Sequence, residues 1–441
     1  GRWNASGQIP FREVEAGRLD RFGAIDPTEG GRTQRSTGRL QYHYDTTTGG
    51  RAFADLYAQY YRLDLFSNFT FFLNDPVNGD GIEQNDRRAV YGGDVGFQQS
   101  GTPWGVASAA TLGVQTRFDD AHVRLGTQRR RERLGTTVDA DIFEASYSPY
   151  LKLEFQPTPW MRLVGGARAD FFTFDVKDRC GAGCPQRPNG VTDAVIASTK
   201  GNLILGPWFG AEFFLNFGTG FHSNDARAIV SNPNAQTLPR ATGYEVGLRT
   251  KQWDRVEFIA ALWALDLTSE LVFVGDEGTT QIRGASRRYG TELGARLKLS
   301  DWLTLTGDVT LTHAEFRGTG GAIPLAPELT GRADLTARLP VGLATSLQML
   351  HLGRRPAIED RSATAQPFTV FDFVTRYRLP VKVERGRLEG FLSVVNLTDT
   401  KWRQAQFFFE SRLPAEGGPV GDIHFVPGTS RMVMGGLSWY F

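Results

Sequence analysis

The sequence predicts an all-β protein, a transmembrane antiparallel β-barrel, and three observations carry that prediction. Apolar and polar residues alternate over stretches of about ten residues or more, the length that a tilted strand needs to cross a bilayer. The connections between these stretches are alternately short and long. The chain ends on an aromatic strand, MVMGGLSWYF, in which Leu437, Trp439 and Phe441 share one face. Chain ends are usually frayed and polar, so this ending indicates a terminus that is tied into a sheet.

The composition of the 441-residue chain fits this class. There are 51 glycines and 31 phenylalanines, a bias that favours sheets over helical bundles. No stretch approaches about 18 consecutive apolar residues, so the sequence excludes a transmembrane helix. The formal net charge is +1, which gives no indication of a nucleic-acid partner.

The alternation is clear in the strand that begins at Leu303. One face carries the apolar residues Leu303, Leu305, Val309 and Leu311, and the other carries Thr304, Thr306, Asp308 and Thr310. Charged side chains cannot face hydrocarbon, so we expect the aliphatic face to contact lipid and the polar face to line the lumen.

Short and long connections lie on opposite sides of the predicted sheet, as periplasmic turns and extracellular loops do. The short ones are 157–160, 206–210, 251–255, 299–302 and 339–342, and Trp160, Trp208, Trp253 and Trp302 lie on their side. The long ones are 119–140, 177–194, 220–239, 273–286, 316–325, 353–366 and 411–428. A soluble sandwich or propeller gives no reason for this alternation and is the weaker alternative.

The strand count gives a second expectation. About 17 strands fit between Arg35 and Phe441, so we assign residues 1–34 to an extracellular loop region and 35–441 to the barrel. Bacterial single-chain barrels have even strand numbers. With no signal peptide at Gly1, the odd count predicts that the sequence is the C-terminal portion of a barrel.

The two cysteines, Cys180 and Cys184, lie in RCGAGCP, with three small residues between them. We expect them to form a disulfide in an oxidising compartment. A metal site is the weaker interpretation because no further cysteine or histidine lies near them.

Several motifs resemble the TonB-dependent receptors of Gram-negative outer membranes. NLTD resembles that family's Asn-Leu-Phe-Asp motif through Asn396, Leu397 and Asp399, with Thr398 in place of Phe. PGTSR resembles its Pro-Gly-x-x-Arg motif before the final strand, through Pro427, Gly428 and Arg431. The stretches 67–80, 218–227, 238–250 and 324–332 complete the set, in the right order along the whole chain.

The resemblance implies a 22-strand barrel in the cell outer membrane, filled by an N-terminal plug that this sequence does not contain. It implies active uptake of a scarce ligand: a ferric siderophore or other metal chelate, cobalamin or an oligosaccharide. A passive porin is the alternative. It also implies coupling to the TonB complex through a preceding region, and barrel assembly machinery that reads Gly436, Trp439 and Phe441. Outer-membrane lipids and lipopolysaccharide are the expected surroundings.

The sequence also offers candidate ligand-binding residues. His222, Asp225 and Arg227 in GFHSNDAR are candidates for ligand contact, although a structural turn explains them as well. Asn396 and Asp399 are explained by local backbone bonding at a strand end. The basic run RRRER (129–133) is either a solvated loop or a contact for lipopolysaccharide phosphates.

The sequence gives no sign of catalysis. None of the six histidines lies beside a nucleophile motif or at metal-ligand spacing. We therefore expect no enzyme, cofactor or metal centre. A hydrolase embedded in the barrel is a third alternative, which would need a serine–histidine pair facing the lipid or the lumen.

Overall fold

A computed structural model describes residues 1–232, 235–250, 254–274, 279–380 and 386–440, without the side chains of 271–282. Nearly all regular structure is β. The elements are β1 Arg2–Asn4, β2 Ile9–Pro10, α1 Phe11–Glu15, β3 Gly30–Asp45, β4 Gly50–Ser67, β5 Ile82–Gly101, β6 Ala107–Arg129, β7 Glu132–Thr158, β8 Met161–Asp178, β9 Gly190–Trp208, β10 Ala211–Phe221, α2 Ala226–Ser231, β11 Arg240–Thr250, β12 Val256–Leu267, β13 Glu270–Val274, β14 Thr279–Arg283, β15 Ser286–Lys298, β16 Leu303–Phe316, β17 Leu329–Leu339, β18 Leu343–Leu352, β19 Arg355–Pro356, β20 Thr364–Ala365, β21 Phe368–Arg378, β22 Arg387–Val395, β23 Arg403–Ser411, β24 Val420–Pro427 and β25 Met432–Tyr440.

The main sheet is antiparallel and contains eighteen strands in the described part of the chain. Seventeen of them follow one another up and down, from β3 to β25, which is the number predicted from the alternation. The eighteenth is the three-residue β1, whose Arg2 is paired with Arg32 of β3. Among the described residues, β25 pairs with β22 on one side only, so the sheet does not close on itself.

The alternation of short and long connections is present as predicted, with one exception. Residues 119–140 were expected to be a long loop but belong to β6 and β7, which are joined by a two-residue turn at Arg130 and Arg131. Both turn residues have positive φ, as a tight hairpin turn requires. Ladder bonds continue along both strands to their tip, so the charges of this stretch lie on strands and not in a loop. The first long strand also begins at Gly30, five residues before the predicted Arg35.

The register places apolar and polar residues on opposite faces across many strands. Leu305 of β16 is paired with Leu297 of β15 and with Leu335 of β17. Beside this row, Thr306 is paired with Arg296 and Asp334. The aliphatic row continues through Leu347 to Phe373, and the polar row through Gln348 to Asp372. The period-two pattern in the sequence therefore corresponds to two distinct faces of one sheet.

Aromatic residues lie at the short turns, as the sequence predicted. The rings of Trp160 and Trp208 lie 6.0 Å apart at two neighbouring turns. Trp302 is 48% exposed beside a third turn, whereas Trp253 lies outside the described residues. No helix in the described ranges has both the length and the apolar composition to cross a membrane.

A second, three-stranded sheet lies on the long-connection side. It contains β2, β24 and β23, and its β24 and β23 belong to the connection between β22 and β25. The N-terminal segment, defined here as residues 5–29, reaches this sheet because Ile9 of β2 pairs with Phe425 of β24. A nearby loop joins it as well, since Phe71 forms a bridge with Arg412. Segments that are far apart in sequence thus form one layer on the side predicted to be extracellular, and we call its three-stranded sheet (β2, β24 and β23) the extracellular sheet.

Candidate functional site

The connection 222–239 folds back onto the charged face of the main sheet. Its short helix α2 buries Ala226 and Ile229 among side chains of β6, β7 and β8, namely Ala121, Val123, Ala140, Ile142, Phe174 and Val176. Asp225 caps this helix, because its side chain accepts a hydrogen bond from the Arg227 backbone amide at 2.9 Å. The apolar contact and the cap together fix the position of Asp225 and Arg227.

Asp225 and Arg227 form an ion pair at this position. The Arg227 guanidinium donates from Nε to Asp225 Oδ1 at 3.0 Å and from its terminal nitrogen to Oδ2 at 2.6 Å. Burial alone raises the pKa of the Asp225 carboxyl, but the hydrogen bonds and the charge of Arg227 outweigh it and leave that pKa below its ordinary value. The carboxylate is therefore ionised at neutral pH.

Two more arginine–aspartate pairs lie on the strands opposite this loop. In β6, Arg117 donates from Nε to Asp119 at 2.6 Å and from its terminal nitrogen to the second oxygen at 3.0 Å. In β5, Arg88 Nε donates to Asp86 at 2.9 Å. In each pair the partners are two residues apart, which places both on the same face of a strand.

These three pairs surround a cavity of about 420 Å³. Glu144 of β7 also lines it, and Asp119 and Glu144 are register partners across β6 and β7. Among the described residues, no hydrogen bond or ion pair reaches the Glu144 carboxylate, although Arg88 and Arg117 lie close enough to interact electrostatically. The cavity offers donors, acceptors and one uncommitted carboxylate.

The structure brings together only part of the predicted ligand site. Asp225 and Arg227 line the cavity, but His222 does not, and its backbone amide donates to Pro239 O at 3.3 Å. The strand residues Asp86, Arg88, Arg117, Asp119 and Glu144 are absent from the sequence prediction. The signal for the two strand pairs was present in the sequence, because an Arg and an Asp two positions apart on a strand share a face, whereas no local pattern indicates Glu144.

The two motifs near the C-terminus bind each other. Asn396 is buried and donates from its side-chain amide to the carbonyl oxygens of Thr400 at 2.9 Å and Thr429 at 3.0 Å. Asp399 accepts from the Arg431 backbone amide at 3.1 Å. These contacts fasten the connection at the outer ends of β22 and β25.

The remaining motif residues support the same connection. The Leu397 amide donates to Phe371 O at 2.6 Å, and the Gly428 amide, next to Pro427, donates to Trp402 O at 2.9 Å. A Cβ added to Gly428 would lie 2.2 Å from the Trp402 ring, so no larger residue fits without movement. These residues hold the connection between β22 and β25 in place.

The remaining predicted residues are the two cysteines and the residues of the C-terminal strand. Cys180 and Cys184 are joined by a disulfide in the connection between β8 and β9. In β25, a Cβ on Gly436 would lie 2.5 Å from the Phe391 ring, and Trp439 is 61% exposed. Phe441 lies outside the described residues. The assembly role of this strand therefore stays a prediction.

The basic run 129–133 is not simply solvated. Arg131 donates to Asn4 Oδ1 at 3.1 Å and to Glu29 O at 3.3 Å, at the base of the N-terminal segment. Arg133 donates to the two carboxylate oxygens of Glu83 at 2.7 and 2.8 Å. At least two members of the run therefore stabilise the extracellular structure.

The extracellular sheet contains a serine–histidine contact that the sequence did not predict. The Ser411 hydroxyl lies 2.7 Å from His424 Nε2, and both side chains are fully buried. His424 Nδ1 lies 3.1 Å from the Asp422 backbone oxygen, and Arg12 donates to Ser411 Oγ at 3.0 Å. Both residues belong to the three-stranded sheet and not to the main sheet, and their contacts join the N-terminal segment to β23 and β24.

Comparisons with known proteins agree with this architecture. The sequence profile described as "TonB dependent receptor-like, beta-barrel" matches residues 2–397. A comparison with curated protein sequences finds no match.

Solved structures of similar fold have low sequence identity to this chain. One is the ferric citrate transporter FecA in its unliganded form, with a TM-score of 0.78 at 13% sequence identity. The match covers 99% of this chain and 65% of FecA. The siderophore receptor PiuA from Acinetobacter baumannii has a TM-score of 0.79 at 12% sequence identity, and the match covers 98% of this chain and 70% of PiuA. The ferric yersiniabactin uptake receptor FyuA from Yersinia pestis gives 0.73 at 13%, covering 100% and 66%. This chain thus spans about two thirds of the length of the solved receptors.

Proposed function

Because the chain belongs to the family of TonB-dependent receptor-like β-barrels, we propose that it forms the wall of an outer-membrane receptor that actively takes up a metal chelate. The observation that carries this proposal is the cavity beneath the connection 222–239. It lies on the charged face of the sheet and is lined by three arginine–aspartate pairs and Glu144. A concave site in which a few charged groups converge is a place where a specific ligand can bind.

A passive porin is the less favoured function. A porin needs an open aqueous channel. Here α2 is packed against β6, β7 and β8, and the N-terminal segment is bonded to the extracellular sheet. Built structure on the lumen face and over the long-connection side fits capture of a ligand better than free diffusion.

The partners of the proposed receptor follow from the same family membership. The TonB complex would act through a region that precedes this sequence, and the barrel assembly machinery would read β25. Lipopolysaccharide would surround the outer half of the sheet, above its aliphatic face. Arg129 and Arg130 of the basic run are the candidates for its phosphates, since Arg131 and Arg133 already bind other parts of the chain.

The proposal is tested by growth on a scarce metal. A Gram-negative strain that lacks the gene should grow more slowly on a ferric chelate as sole iron source, and the full-length gene should restore growth only when TonB is present. Asp119→Ala should restore growth poorly, because it releases Arg117 into the cavity wall. Asp120→Ala is the matched control, because Asp120 lies on the opposite face of the same strand, in register with Phe143.

Two results would count against the proposal. Restored growth in the absence of TonB would indicate passive diffusion. Equal growth with and without the gene, on every ferric or cupric chelate supplied, would exclude metal uptake.

A further inference from the structure

The arginines of the cavity are already neutralised by the protein. Arg88, Arg117 and Arg227 each donate to an aspartate two residues away, at distances of 2.6 to 3.0 Å. An anionic ligand would have to compete with those aspartates for the same donors. Breaking such a pair leaves a carboxylate without its partner, which costs more than a free arginine would return.

The side chains that face the cavity carry an excess of negative charge. Four carboxylates, those of Asp86, Asp119, Glu144 and Asp225, meet three guanidinium groups, those of Arg88, Arg117 and Arg227. The balance of three positive and four negative charges is −1 when all are ionised. Arg124 also belongs to the residues that line the cavity. Its side chain is not counted, because alternation along β6 directs it to the face opposite to those of Val123 and Leu125, where it donates to Asn85 Oδ1 at 3.1 Å.

Glu144 is the source of the excess. Burial raises the pKa of its carboxyl to about 7, so the excess is fully present only above that pH, and a nearby cation would favour the ionised form. The charges of Arg88 and Arg117 attract the Glu144 carboxylate, and the carboxylates of Asp119 and Asp225 repel it. Each of those arginines already bonds an aspartate. In the described part of the chain the Glu144 carboxylate accepts no hydrogen bond. A ligand that carries a hydrogen-bond donor would supply the partner that the Glu144 carboxylate lacks.

We propose, on the basis of the uptake function above, that this cavity selects chelates of zero or positive net charge that present an ammonium or another strong donor to Glu144, and that it disfavours polyanionic chelates. An ammonium–carboxylate hydrogen bond in a partly enclosed cavity is stronger than one between neutral groups. The preformed Arg–Asp pairs then act as neutral dipolar walls that hydrogen-bond the polar surface of the chelate.

Three ferric probes test the charge preference on the purified full-length receptor. The first is a ferric tris-hydroxamate with one free ammonium group, the second is its N-acetylated, uncharged form, and the third is a ferric tris-catecholate with three negative charges. By titration calorimetry, we expect the ammonium form to bind about 10- to 100-fold more tightly than the tris-catecholate, as one charged hydrogen bond allows.

Variants of Glu144 identify the group responsible. Glu144→Gln should weaken the ammonium form by about tenfold or more and leave the N-acetylated form unchanged. Glu144→Asp keeps the carboxylate and should retain the preference for the ammonium form over the acetylated form. Asp120→Asn, on the opposite face of β6, is the control, and all variants are compared only if they remain heat-modifiable barrels.

The outcomes separate the two proposals. Tighter binding of the tris-catecholate, or a Glu144→Gln variant that binds the ammonium form as wild type does, overturns the charge selection while uptake itself stands. If the receptor binds none of the three probes and does not support growth on iron, the uptake proposal fails and the charge selection falls with it.

Discussion

Lowering the pH from 7 to 5 should weaken the attachment of the N-terminal segment to the extracellular sheet, and the side chain responsible is His424. Its ring is fully buried and stacks on Phe409 at a centroid distance of 3.9 Å. Ser411 Oγ lies 2.7 Å from Nε2, and the Asp422 carbonyl lies 3.1 Å from Nδ1. Burial lowers the pKa of His424 from 6.5 to about 4, because a charged ring would lose its hydration there.

The magnitude follows from the difference between these two pKa values. In the unfolded segment the ring binds a proton at about pH 6.5, whereas in the folded segment it does so only near pH 4. The contribution of His424 to the stability of the attached segment is therefore fully present above about pH 6.5 and is lost as the pH falls toward 4. The full effect is about 3.4 kcal/mol, at 1.36 kcal/mol per unit, and about 2 kcal/mol of it is lost by pH 5.

Two other groups of the same layer titrate and must be separated from His424. Burial raises the pKa of the Glu416 carboxyl, but bonds from Arg12 and Leu413 outweigh it and lower that pKa, so its effect begins only below about pH 4.5. Burial raises the pKa of Glu29 to about 8, which gives an effect of opposite sign between about pH 4.5 and 8. The effect of His424 is therefore read as a difference between wild type and His424→Gln.

The measurement is hydrogen exchange of the amides of Ile9, of Arg12, which donates to Asp422 Oδ2 at 2.8 Å, and of β24, converted to opening free energies. The difference between wild type and His424→Gln should change by about 2 kcal/mol between pH 7 and 5. Ser411→Ala keeps the titrating ring and should keep most of this pH dependence. A difference that stays constant across this range would refute the assignment to His424.

Three further predictions use other parts of the structure. Glu29→Gln should abolish the loss of stability of the N-terminal segment that wild type shows as the pH rises toward 8, because burial raises the pKa of Glu29 to about 8; hydrogen exchange of the same segment measures it, and an unchanged loss would contradict it. Val309→Arg should cost roughly 2–4 kcal/mol near the bilayer midplane, whereas Thr310→Arg, on the opposite face, should cost much less; folding midpoints in lipid vesicles compare the two, and equal costs would reverse the faces. Thiol labelling of the unreduced protein should detect no free thiol at Cys180 or Cys184; two labelled thiols would disprove the pairing.

The strands were predictable because one physical rule acts on each of them. A strand between lipid and lumen must alternate, and the rows that contain Leu305 and Thr306 show the result. The rule fails outside the lipid, where neither face needs to be apolar. Residues 119–140 are charged for that reason, and a strand there has the composition of a loop although β6 and β7 are continuous.

The candidate site was less predictable because its parts come from distant stretches of sequence. Asp225 and Arg227 were recognised as a local cluster, but nothing local indicates that α2 would lie against β6 and β7. The burial of Ile229 in one apolar cluster with Ile142 and Phe174 decides that position. Glu144 has no motif, and its importance follows only from the cavity around it.

The length of the β6–β7 hairpin affects the entropic cost of ligand binding. These strands contain 23 and 27 residues, about twice what a bilayer crossing requires, so much of the hairpin stands in the aqueous phase as a ladder of backbone hydrogen bonds. Arg117, Asp119 and Glu144 are mounted on that rigid support. The ligand proposed for this cavity would therefore lose little free energy to the ordering of the wall. The entropic cost of binding the proposed ligand would fall instead on the connection 222–239, which supplies the remaining wall of the cavity and where changes of loop sequence could tune affinity without altering the strands.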